Sequence, residues 1–216
     1  MTFPRFSAGF LAFFALLSSA HAEVIVSEIM FNPASKEDPK VNLVEWVEIY
    51  NTGDTAVDVS GWFLQDEDGK TAGLPRNTTI KAGQAIVLVP AGMSVEKFRA
   101  AWGEGFDVYP LEAWAKGGIN GLGNKPDAKN ELLSLRKADG TAADEAHYKI
   151  DGDWPTPPRA GGGSLVLKPD ALSAAANDSG KSWVYADAGK LGAKNNTKTD
   201  DFNGKDAGSP GVVAKE

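Results

Sequence analysis

Three glutamates, Glu28, Glu45 and Glu48, fall within apolar, strand-like stretches of the chain. Two carboxylates held close together are the minimal machinery of glycoside hydrolysis, one as acid and one as base or nucleophile. If the strands that carry them pair, these side chains approach one another. The plainer reading is solubility at a sheet edge, or a structural hydrogen bond to a neighbouring loop. A Ser-His-Asp triad would need His147 as its base, because it is the only histidine beyond residue 22. Along residues 145–150 it alternates with Ala146, Tyr148 and Ile150, so it shares a polar face with Glu145 and Lys149. That is a poor setting for a catalytic base. A single histidine beyond residue 22 and no cysteine exclude the multi-histidine and thiolate zinc sites there. No catalytic residue is assigned, and a small carboxylate-dependent hydrolase stands as the enzymatic alternative.

Oxygen ligands are more abundant. Asp66 and Asp68, in the Asp66-Glu67-Asp68-Gly69 turn, are the calcium candidates, with further acids at 151–153 and 200–206. Calcium takes about six to eight oxygens from several residues. None of these stretches carries the full ligand spacing with a closing glutamate, and Asp and Gly are also the ordinary residues of turns. Tyr109 and Trp114, in a glycine-rich stretch, are the ligand-binding candidates. An exposed ring there could stack on a sugar or polymer; the alternative is that the rings pin the loop to the core. No phosphate-cradling Gly-Lys-Ser/Thr motif occurs. The 29 Asp and Glu outnumber the 22 Lys and Arg, for a net charge of −7. A nucleic-acid footprint carries the opposite sign, so nucleic acid is not expected as a partner. Calcium is the one cofactor the pattern admits.

Residues 1–22 read as an address rather than an element. Arg5 is followed by an apolar stretch over 8–17, and Ala20-His21-Ala22 fits a small-x-small cleavage site before Glu23. The apolar part is shorter than the about 20 residues of a membrane-spanning helix, and no second such run follows. A signal peptide over 1–22 and a mature domain over 23–216 are expected, without a transmembrane anchor after cleavage. The location is then secreted, extracellular or periplasmic. Export without any cysteine points to a bacterial source.

Glycine numbers 24 and proline 12, which favours many turns over long helices. Apolar or alternating runs at 24–30, 43–50, 56–64, 85–89, 131–136, 145–150, 164–168 and 183–186 read as strands. One helix is expected, with Ser94 as N-cap, Val95, Phe98 and Trp102 at helical spacing, and Gly103 closing it. Within 57–64, Val57 and Val59 are out of phase with Trp62 and Leu64. A β-bulge at Ser60-Gly61 returns all four to the core; two strands meeting at a turn are the alternative. Residues 103–130 read as a long glycine-rich loop. The whole is an all-β antiparallel sandwich, with too little helix for the crossovers of a parallel sheet.

The order of motifs resembles the lamin-tail domain family, as it occurs in exported bacterial proteins. Glu28-Ile29 precedes Asn32-Pro33, then Trp46-Val47-Glu48-Ile49-Tyr50-Asn51 and Val57-Asp58-Val59-Ser60-Gly61-Trp62. Asp139-Gly140, Asp144, Tyr148, Trp154-Pro155, Trp183 and Gly208-Ser209-Pro210-Gly211 follow. Ser209 stands where the family more often has threonine. The resemblance implies an immunoglobulin-like β-sandwich over nearly the whole mature chain and no established catalytic set. The nuclear partners of lamin tails are not carried over, because of the export signal and the negative charge. The function expected is a secreted, non-catalytic binding module whose partner is an envelope or extracellular protein or polymer. A structural surface or matrix component is a further alternative.

Overall fold

All seven residues of Val24–Met30 are buried, so this strand is covered on both faces. The computed structural model describes residues 24–36, 44–114, 117–123, 131–149, 152–158 and 160–214. The expected signal peptide, Asp151 and part of the glycine-rich loop lie outside the described residues. In chain order the elements are β1 (Val24–Met30), β2 (Trp46–Asn51), β3 (Val57–Asp58), β4 (Phe63–Gln65), β5 (Thr79–Ile80), β6 (Ala85–Pro90), α1 (Val95–Trp102), β7 (Asp107–Leu111), β8 (Glu131–Arg136), β9 (Ala142–Tyr148), β10 (Leu165–Leu167), α2 (Ala174–Asn177), β11 (Trp183–Tyr185), β12 (Lys194–Asn195) and β13 (Ala207–Gly208). Among the described residues no helix is long and apolar enough to cross a membrane.

The main sheet runs β11-β10-β1-β2-β6-β7, and β4-β8-β9 forms a second sheet. Between them lies one core, to which Ile25, Ile29, Val47, Ile49 and Leu88 contribute from the first sheet and Leu64, Leu133, Leu135 and Tyr148 from the second. This is the expected immunoglobulin-like sandwich. The other face of the main sheet is also covered. Met30, Trp46, Val87 and Val89 pack there against Phe98, Ala101 and Trp102 of α1 and against Phe202.

α1 forms as its sequence dictates: the Ser94 side chain accepts from the Lys97 backbone N–H, and Gly103 closes the helix by donating to Arg99 O. Two expectations around it are corrected. β6 and β7 pair in parallel, and α1 is the crossover between them. A single eight-residue helix is enough for one such pair. Residues 107–111, read as loop, are therefore the edge strand β7, where the missing N–H of Pro110 is tolerated.

The 57–64 stretch holds no continuous bulged strand. β3 and β4 are separate strands joined by a turn at Ser60-Gly61, with Gly61 at φ +76. The turn achieves what the bulge was expected to do. Val59 and Leu64 are fully buried, and Val57 and Trp62 pack against the same core. A register shift does occur in β1, between Val26 and Glu28. The Val26 N–H is taken there by the Asp144 carboxylate at 2.7 Å.

Candidate functional site

Alternation places Glu28 on the same face of β1 as Met30, and Glu48 on the same face of β2 as Trp46. The strands pair in the register Glu28↔Glu48 and Met30↔Trp46. The two carboxylates suggested by the sequence are thus cross-strand neighbours, on the sheet face turned away from the main core. They are not at an edge: each is 1% exposed.

What covers them is the chain's own C-terminal part. Glu28 accepts hydrogen bonds from the Ser164 hydroxyl, from the Ser209 backbone N–H at 2.8 Å and from the Ser209 hydroxyl at 2.7 Å. Glu48 accepts from the Ser27 hydroxyl at 2.7 Å and from the Gly211 backbone N–H at 2.6 Å. Gly208 lies so close that a Cβ there would stand 2.8 Å from the Trp46 ring and 3.1 Å from Glu28 Oε1. Every carboxylate oxygen of the pair is committed, and neither has room for a substrate.

Burial pushes both carboxyls up, Glu28 to about 7 and Glu48 to about 8, the charge of Glu28 adding to the effect at Glu48. The hydrogen bonds oppose this shift without cancelling it. At neutral pH the pair therefore holds a proton that the unfolded chain has already released.

Glu45, the third glutamate, does different work. Its Oε2 accepts from the Trp114 indole N–H at 3.3 Å and from the Leu122 backbone N–H at 2.9 Å. It therefore anchors the glycine-rich segment onto the sandwich. Trp114 is 3% exposed and Ile119 is fully buried beside it in the main core. Trp114 presents no ring face to a ligand, because loop closure buries it. Tyr109 lies on β7, not in a loop, opposite Leu88. It is half-buried against the main core, and burial, with Asp107 beside it, pushes its hydroxyl pKa up. His147 is exposed on β9, 3.9 Å from Glu145.

The family model of the Lamin Tail Domain matches residues 18–149, which is 132 of the 216 positions. The chain belongs to the lamin tail domain family. No curated protein matches its sequence. Lamin tail domains are immunoglobulin-like interaction modules and not an enzyme family. In this lamin tail domain both carboxylates of the pair lie inside the matched stretch. Ser164, Ser209 and Gly211, which cover them, lie beyond it.

The acidic turn of the domain is built by Asp66, whose Oδ1 accepts from the backbone N–H groups of Asp68 and Gly69 at 2.8 and 2.9 Å. Asp68 Oδ2 accepts from the Asn120 amide at 3.3 Å. Glu131 faces this turn. Burial, a hydrogen bond with Glu67 and the charges of Glu67, Asp66 and Asp68 raise its carboxyl to about 7. Among the described residues no group of three or more acids or histidines is arranged to hold a metal ion.

Two buried acids were not assigned their roles by the sequence. Asp206, grouped there with calcium candidates, is 1% exposed. It accepts from the backbone N–H groups of Ala34 and Ser35, the Ser35 hydroxyl and the Asn196 amide. Asp144 accepts from Val26 N–H and, at 2.6 Å, from the Asn177 amide, and burial raises its carboxyl to about 6. Each ties a distant segment to β1 or to the loop after it. An aspartate in a polar stretch looks the same in sequence whether it is solvated or buried, so no signal marked them.

These shifts set the pH dependence of stability. Glu28, Glu48, Glu131 and Asp144 all titrate higher in the folded state than in the unfolded one, so the folded state binds more protons. Stability contributed this way is greatest below about pH 4 and falls as pH rises through about 8. Tm is expected to drop between about pH 5 and pH 9, and Glu48→Gln is expected to flatten the slope. Calorimetry across that range measures both, and a Tm rising with pH would contradict the assignment.

Proposed function

We propose that this chain is an exported, non-catalytic interaction module of the cell envelope or extracellular space. The observation that carries the non-catalytic reading is the sealing of Glu28 and Glu48, the two of the three strand glutamates that pairing brings opposite each other. Both carboxylates lie under the chain itself, with their oxygens taken by Ser27, Ser164, Ser209 and Gly211. The export reading rests on the sequence of residues 1–22 alone. What the sandwich presents to a partner is its surface. There, a mixed-charge groove of about 360 Å³ runs between β5, β6 and β7, bordered by Lys81, Gln84, Arg99, Glu104 and Asp107. Groups of both signs beside the apolar Ile80 and Phe106 suit a polar protein segment or a polysaccharide better than a lipid.

N-terminal sequencing of the chain recovered from the producing cell is expected to begin at Glu23. A chain that keeps its first residues would remove the export reading. The mature chain is expected to co-sediment with isolated envelope material, and Lys81→Ala to weaken this without changing Tm. Turnover of glycosides or esters that disappears in a folded Glu28→Gln variant would replace this reading with the hydrolase.

A further inference from the structure

The segment that covers the carboxylate pair is attached unevenly. At its start Asp206 is fixed by donors from Ala34, Ser35 and Asn196. Ala207 then pairs with both sides of the glycine turn before β10, donating to Gly162 O and accepting from Ser164 N–H. Beyond Gly208 the attachment changes character. Residues 209–213 run between two surface grooves. One, of about 170 Å³, is bordered by Glu104, Phe106, Gly192 and Lys194. The other, of about 250 Å³, is bordered by Tyr50, Gly83, Gln84 and Ala85. Val212, at the exposed turn, is 49% exposed, the only large hydrophobic side chain so exposed among the described residues. Hydrogen bonds from Ser209 and Gly211 to the two carboxylates hold this stretch down, and Phe106 lies against Gly211. Ser209 and Pro210 are buried and Val213 packs against the main core, so the polar contacts to the two carboxylates are part of what seats the stretch, and weakening them favours its local opening.

The charged surroundings of those contacts are sparse. On β1 and β2 the carboxylates face each other. On β6 the residue opposite Glu48 is Val87, which carries no charge. From the β10 side Ser164 faces Glu28, and on the α1 side the neighbour is the Trp46 ring. Lys194 and Glu104 border the groove on the outer side of Ser209. Asp206 is already engaged by its own donors. With one proton on the pair, the site carries a single buried charge, with three hydrogen bonds reaching Glu28 and two reaching Glu48. With none, two like charges stand across one strand pair without a cation between them, and only water can relieve that.

We infer that residues 209–213 form a proton-controlled strap, seated while the Glu28–Glu48 pair keeps one proton and released when that proton is lost, which uncovers the Phe106 ring beneath Gly211. The direction follows from linkage. The seated form binds more protons than the open form, so rising pH favours opening. Asp206, held by its own donors, is the hinge. The strap acts independently of the interaction role proposed above, and it supplies a way to expose aromatic surface only above neutral pH.

Amide hydrogen exchange of the intact protein, corrected for the intrinsic pH dependence of exchange, tests this directly. Peptides covering 209–213 are expected to exchange at least about tenfold faster at about pH 8.5 than at about pH 5.5. Peptides covering β8 are expected to stay level. In Glu48→Gln, which removes the second charge but keeps the shape, the strap is expected to stay protected at both pH values. Glu28→Gln is the parallel variant should the first fail to fold. Equal corrected rates in the unsubstituted protein overturn the strap, as does a rise shared equally by β8, which signals global loosening. A pH dependence that survives in a folded glutamine variant overturns the assignment to the pair.

Discussion

Replacing Asp206 with alanine is expected to destabilise the protein by about 3–5 kcal/mol. The carboxylate is 1% exposed and receives four donors, two of them backbone N–H groups at Ala34 and Ser35. Hydrogen bonds to a buried charge are the strong ones, and the substitution leaves the Ser35 hydroxyl and the Asn196 amide without their shared acceptor. It also unfastens residues 34–35, which follow β1, from the segment that covers the sheet face. For a domain of this size the loss corresponds to a Tm lowered by roughly 10 °C. Asp206→Asn keeps one acceptor oxygen but turns an amide toward the Asn196 amide donors, so an intermediate loss is expected. Denaturant titration followed by circular dichroism measures both variants. A loss under about 1 kcal/mol for the alanine variant would show that the site relaxes around water instead.

Trp114→Ala is the second large effect, about 3–5 kcal/mol, and its readout is stability rather than ligand affinity. The ring is 3% exposed, and its removal opens a cavity beside Ile119 and Leu122. The Glu45 carboxylate also loses the indole donor, keeping the Leu122 N–H. The glycine-rich segment is expected to become the first part of the sandwich cut by protease, while α1 stays protected. Trp114→Phe restores much of the packing but not the donor, and is expected to recover about half the loss. A Trp114→Ala protein of unchanged stability with weakened binding to a polymer would restore the platform reading.

These two residues show where sequence reading succeeds and where it stops. β1 and β8 were legible to the residue, because buried Val, Ile and Leu are bounded by turn signals on both sides. α1 was legible because its cap, its period and its closing glycine agree. β7 was not, since glycines surround it and Pro110 interrupts it; only pairing with β6 makes it a strand. β3, β5, β12 and β13 are two residues long, too short for any period to show. At the site, the approach of Glu28 and Glu48 followed from strand pairing. Their burial did not, because the donors from Ser209 and Gly211 lie 181 and 163 positions away. The closing Gly-Ser-Pro-Gly stretch was visible as a motif. Its role as a lid on two acids depends on contacts that no local pattern encodes.

The same long reach governs how the molecule is made. β1 emerges first, yet its partner β10 and its covering residues 206–211 come after nearly everything else. Closing such loops is slow, and a sheet centred on its first strand cannot be completed until β10 and β11 have been made. Until β10 is available, β1 offers a free edge to any other chain, so newly made protein has a period of vulnerability to sticking. A chain arranged this way completes the sheet around its first strand only when β10 and β11 have been made, and covers the two acids only when residues 209–211 follow.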